Sequence, residues 1–224
     1  LPILRLKHLV ASRWFHWINF PLLFLMIWSG LLIYWANDVY QIPFSGTPVF
    51  HFFPESVYKA LNMGHRLADG MALHFFFMWL FVINGVLYVG YTVISGEWRY
   101  LAPTKMSAFR DAWAVVLYDL HLRKELPPQQ KYNAAQQITY TAIVLMGAGS
   151  VLTGLAIYKP IQVSWLTGLF GSYEFARVLH FTLTMGYLAF FIVHIAQVTR
   201  AGWNNFRSMV MGYELAPAKE GRHE

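Results

Sequence analysis

Apolar residues do not alternate with polar ones along most of this chain; they run together. Four stretches, residues 15–35, 70–94, 138–158 and 178–198, are almost free of charge. Crossing about 30 Å of hydrocarbon takes roughly 20 helical residues, and each stretch is long enough. Trp14, Trp17, Tyr34, Trp35, Tyr91, Tyr158 and Trp203 fall near the ends of these runs, where amphipathic rings favour the membrane–water boundary. The pattern predicts an all-α membrane protein built as a four-helix bundle. The charged opening residues lead straight into the first run, which reads as a span rather than a cleaved leader.

Four spans place both termini on one side, and the basic residues say which. Thirteen Lys and Arg lie before span one, between spans two and three, and after span four; four lie in the other two loops. The excess marks the cytoplasmic side, so both termini are expected there, in a bacterial cytoplasmic membrane. Between spans two and three, Phe109, Trp113, Val116, Leu117 and Leu120 recur at helical spacing, with Arg110, Asp111, Asp119 and Arg123 mostly around the other face. This predicts a cytoplasmic amphipathic helix, either on the membrane surface or docked on the bundle. Pro127 and Pro128 end it. Residues 1–215 are read as one domain and 216–224 as a polar tail, with no evident internal repeat.

Composition agrees: 57% of residues are hydrophobic, 18% aromatic and 12% charged, against roughly 25% charged in a soluble domain. The net charge of +6 is taken up by the loops, so it points to lipid and topology rather than to nucleic acid. Cysteine is absent, which excludes disulfides, covalent c-type haem and an iron–sulfur cluster ligated by this chain alone. Nine histidines remain as the main ligand candidates.

Ionisable residues within a span are costly and imply function. His16 lies at the start of span one, His74 early in span two, and His180 and His194 near opposite ends of span four. The fourteen residues between the last two fall about 40° short of four full turns, so both rings leave one face, about 21 Å apart. Matching depths pair His16 with His194 and His74 with His180. Imidazoles on facing helices suit a bis-histidine b haem, which leaves no open position and favours electron transfer. Two haem b groups are therefore expected, one near each leaflet.

His65 is the alternative to His74, although Arg66 and Asp69 beside it indicate the interface. His8, His51, His121 and His223 read as surface residues. Arg13, Arg66, Arg177 and Arg200 flank the spans as candidate propionate partners or as snorkelling cations. Gly30, Gly147, Gly149 and Gly154 suit close approach to a porphyrin or to another helix. Zinc fits less well, because the two histidine layers are too far apart to share a metal.

Several runs carry a family resemblance. The Arg-Trp-Phe-His-Trp opening of span one, the His-Phe of span two, Lys-Tyr-Asn-Ala-Ala-Gln-Gln at 131–137, Thr-Gly-Leu-Ala-Ile-Tyr-Lys-Pro at 153–160 and the span-four histidines resemble the b-type cytochrome subunits of membrane-bound formate dehydrogenase, Ni,Fe-hydrogenase and thiosulfate reductase. The resemblance covers residues 4–215. It implies a subunit that anchors a catalytic oxidoreductase of molybdenum, iron–sulfur or Ni-Fe type and exchanges electrons with menaquinone or ubiquinone. By position it places Asn133, Gln136 and His194 near the quinone. Ala135 stands where the formate dehydrogenase pattern has Gly, and the loop between spans two and three differs in length. A stand-alone di-haem cytochrome oxidising a small reductant such as superoxide is the alternative. A cofactor-free anchor or transporter fits less, since neither broken helices nor a midplane site is evident.

Overall fold

The computed structural model describes residues 3–36, 53–127 and 132–216. His51, Lys131, Lys219, Arg222, His223 and the expected tail beyond Ala216 lie outside the described residues. In chain order the elements are β1 (Ile3–Leu6), α1 (Val10–Trp35), α2 (Glu55–Ala60), α3 (Leu67–Ile94), α4 (Trp98–Leu101), α5 (Ser107–Asp119), α6 (Ala134–Tyr158), α7 (Ser164–Leu169), α8 (Tyr173–Met211) and β2 (Tyr213–Ala216).

Four of these helices, α1, α3, α6 and α8, are long and apolar enough to cross a membrane. Much of their apolar surface is uncovered, including Phe24 on α1, Phe76, Trp79 and Val86 on α3, Leu145 on α6 and Ile192 on α8. In water such surface would be costly; in hydrocarbon it is the natural exterior. The helices exceed the apolar runs at several ends, since backbone hydrogen bonding continues into the polar boundary. α8 continues past residue 198 and breaks at Gly202, whose φ of 78° is a left-handed value open to glycine.

The chain forms two compact units, residues 1–84 with 188–224, and residues 85–187. In the first, β1 pairs antiparallel with β2, with Ile3 opposite Ala216 and Leu6 opposite Tyr213. The hydrophobic pattern gave no sign of these strands. Glu214 accepts from Lys7 Nζ at 2.7 Å and from Arg5 Nε at 3.0 Å, so three charged side chains tie the two end segments together.

In the second unit α5 packs against α6. Its covered face is built from Ala108, Ala112 and Val115, while Phe109, Trp113, Val116 and Leu120 stay exposed. Small residues allow close helix packing, so the bulky apolar face turns outward. α6 starts with a capping box: the Asn133 side chain accepts from Gln136 N at 2.8 Å, and the Gln136 side chain accepts from Asn133 N at 3.0 Å.

Candidate functional site

In the first unit, α1 and the second half of α8 bring His16 and His194 together. Their ring centroids are 6.1 Å apart, with the planes tilted by 54°. Two metal–nitrogen bonds of about 2 Å each, plus the ring radii, put imidazole centroids roughly 6 Å apart. The spacing therefore suits one metal ion between two histidines. His194 stacks on Phe190, one turn earlier, at 5.4 Å and 18°. His16 meets Trp17 edge-on at 5.1 Å.

The start of α1 is bolted to the end of α8. Trp17 Nε1 donates to the Met209 carbonyl at 3.0 Å, and Arg13 donates to the Val210 carbonyl at 2.7 Å. Two buried nitrogens here, Arg13 Nε and His16 Nδ1, lack a hydrogen-bond partner among the described residues. They lie three residues apart on one helix face. Such orphaned groups are rare in a finished protein interior. A haem propionate would satisfy the Arg13 guanidinium, beside a His16 ring whose other nitrogen would be free to ligate iron.

His74, also in the first unit, is held differently. Its Nδ1 is 3.0 Å from Ser29 Oγ, and that hydroxyl donates its single proton towards the Leu25 carbonyl at 2.6 Å. Ser29 Oγ must therefore accept from His74 Nδ1–H, which puts the ring's lone pair on Nε2. Gly70, one turn before His74, lies against the α1 backbone at Ser29 and Ile33. Gly30 lies beside the His74 ring, where an added Cβ would stand 3.5 Å from Cε1.

The second unit repeats this arrangement at His180. Thr153 Oγ1 is 2.9 Å from His180 Nδ1 and donates to the Gly149 carbonyl at 2.7 Å. The same reasoning gives an Nδ1–H tautomer with its lone pair on Nε2. Gly154 lies beside the ring, with an added Cβ at 3.3 Å from Cε1. Ala176, one turn before His180, is fully buried with Ala156, where the first unit has Gly70 against Leu32.

The His16–His194 spacing suits a shared metal ion, and the whole chain can be placed by its relatives. The family described as prokaryotic cytochrome b561 matches residues 7–212. The chain belongs to that family. It is also similar to a protein of Azospira oryzae (strain ATCC BAA-33 / DSM 13638 / PS), at 30% identity over 184 residues, covering 82% of this chain and 85% of the relative. That relative is named protein-methionine-sulfoxide reductase subunit YedZ1, an assignment that is itself provisional. No solved structure matches. The family and the four apolar helices make this a multi-pass bacterial membrane protein that carries haem b and serves electron transfer across the membrane.

The other candidate residues of this cytochrome b561 chain have local settings of their own. His65 precedes α3 in a turn with φ 59° and packs on Trp35 at 4.5 Å, whereas His74 lies within the helix. Arg66 pairs with Asp69 and Arg177 with Glu174, so these two arginines have local carboxylate partners. Gly149 faces Leu183, with an added Cβ at 3.2 Å; it serves helix packing. His8 lies between β1 and α1, and His121 in the turn after α5 with φ 61°.

Ser29 and Thr153 escaped sequence reasoning, and a signal was there. Ser-Gly-Leu-Leu-Ile-Tyr at 29–34 matches Thr-Gly-Leu-Ala-Ile-Tyr at 153–158, and Leu-His-Phe at 73–75 matches Leu-His-Phe at 179–181. The chain therefore does contain a short internal repeat. Its meaning emerges only when each hydroxyl is seen against its histidine.

Proposed function

We propose that this cytochrome passes electrons through two b haems, one held by His16 and His194 and the other by His74 and His180, and joins a catalytic oxidoreductase subunit to the quinone pool. The spacing of His16 and His194 carries the reading. The second pair rests on helical register and on the tautomer of each ring. Haem b, when bound, would supply a one-electron couple, and ligation by two imidazoles would leave no position for dioxygen.

The protein's own groups do the holding. His16 and His194 supply nitrogen ligands, Phe190 limits rotation of His194, and Arg13 Nε offers charge to a propionate. Pairing of β1 with β2 supports both termini on one side, and the basic residues favour the cytoplasm. The exposed Phe109, Trp113 and Leu120 of α5 suit a helix resting at the cytoplasmic membrane boundary. The Asn133 and Gln136 oxygens are used in the capping box, but their amide NH2 groups remain donors for a quinone carbonyl. From the relative's name, the partner is assigned to the class that reduces oxidised methionine.

The test is haem stoichiometry and spectrum of the purified chain. Two low-spin b haems per chain are expected, with His194→Ala removing one and His180→Ala removing the other. A single haem, or loss of neither with these variants, would overturn the reading.

A further inference from the structure

We infer that Ser29 and Thr153 are positioning residues that set the tautomer, and with it the redox balance, of the haem ligands His74 and His180. The inference rests on the haem assignment above.

Both hydroxyls sit where water does not reach: Ser29 and Thr153 are fully buried. Each spends its proton on the carbonyl four residues earlier, at 2.6 and 2.7 Å. Each is left with only lone pairs to offer the imidazole, at 3.0 and 2.9 Å. The hydrogen bond is therefore directional. It holds the proton on Nδ1, together with the Ser150 backbone in the case of His180, and leaves the lone pair on Nε2, the nitrogen that would ligate iron. A glycine follows each hydroxyl in sequence and leaves room for the ring beside its own helix. The repetition of hydroxyl, glycine and histidine in two units makes chance placement a poor account.

Two consequences follow. A histidine with its far nitrogen bonded is held in one ring orientation and is a more basic ligand. A more basic ligand favours ferric over ferrous iron, and hydrogen bonding around the ligands is a recognised control on haem potential. His16 has no such acceptor among the described residues, since its Nδ1 is unpartnered. The hydroxyl pair thus acts on one haem and leaves the other alone.

The experiment is a spectroelectrochemical titration of the full-length, haem-loaded chain in detergent, comparing wild type with Thr153→Val, Thr153→Ser, Ser29→Ala and Ser29→Thr. Loss of either hydroxyl is expected to raise the potential of one of two components. The reduced-to-oxidised ratio at fixed potential should rise about fivefold, the worth of one ordinary hydrogen bond. The other component should stay in place. Thr153→Ser and Ser29→Thr, which keep a hydroxyl, should restore the wild-type curve and the wild-type low-spin electron paramagnetic resonance signal. If a hydroxyl-free variant loses one haem outright while its hydroxyl-keeping counterpart retains both, ligand positioning is equally supported. Unmoved potentials and spectra in Thr153→Val and Ser29→Ala would overturn the inference, as would failure of the hydroxyl-keeping variants to restore them. A wild-type protein without two b haems would instead overturn the haem assignment itself.

Discussion

Gly70 lies so close to Leu32 that a methyl group on it would stand 2.8 Å from the Leu32 Cβ and 3.1 Å from the backbone at Ser29 and Ile33. Backbone cannot yield as a flexible side chain can, so Gly70→Ala must push α3 away from α1. His74 follows one turn later, and its bond to Ser29 would be stretched. The expected cost is about 1–3 kcal/mol, with loss of one haem, read by thermal melting and haem content in detergent. Gly90→Ala is the control, because nothing lies within 4 Å of an added Cβ there. It should leave both measurements unchanged.

On α5 the two apolar faces make opposite predictions. Ala112 is buried at the covered face, whereas Phe109 and Trp113 are 63% and 62% exposed. Ala112→Leu should destabilise the protein by about 1–3 kcal/mol through overpacking. Phe109→Ser should barely change the melting temperature but weaken contact with lipid. The chain has no cysteine, so a spin label at Phe109→Cys reports without background. Greater accessibility to oxygen than to a water-soluble nickel complex is expected. The reverse order would place this face in water.

Lipid imposes long uncharged runs, so the four spanning helices were legible in the sequence. His180 and His194 lie on one helix, as expected, because α8 runs unbroken until Gly202. Pairings between distant segments were not legible. β1 and β2 are four residues each, carry one charge apiece and lie about two hundred residues apart, so neither creates a local pattern. On α5 the large residues drew attention, while the close contact is made by alanines. Ser29 and Thr153 look like ordinary small polar residues in a span until a histidine is placed against them. In each case the missing information lay on another segment.

Glu214 makes the pairing of the end segments depend on pH. The hydrogen bond from Lys7, joined by that from Arg5, holds its carboxyl below the ordinary value of 4.5. A carboxylate lowered in the folded state contributes stability above its unfolded value, and that contribution is lost as pH falls through the folded value. The contribution should be complete above about pH 5 and fade below 4.5. Because Arg5 is largely exposed, the effect is at most about 1 kcal/mol. Hydrogen exchange of residues 3–6 and 213–216, corrected for intrinsic rates, should show protection falling in acid. Glu214→Gln should lower protection at neutral pH and flatten its pH dependence.

Asn133 offers a way to separate a structural task from a chemical one. Its side-chain oxygen caps α6 by accepting from Gln136 N at 2.8 Å, and an aspartate cap is about as good as asparagine. Asn133→Asp should therefore melt with the wild type, aided by the positive end of the helix dipole. It removes the amide NH2, the group assigned to the quinone carbonyl. Asn133→Ala loses both functions and should cost about 1 kcal/mol of stability. If the amide donates to quinone, both variants should slow haem oxidation by added quinone about tenfold, the equivalent of one hydrogen bond near the upper end of the usual range. If only the cap matters, Asn133→Asp will react at the wild-type rate while Asn133→Ala alone loses stability. That outcome would remove Asn133 from the quinone site and leave it as the start of α6.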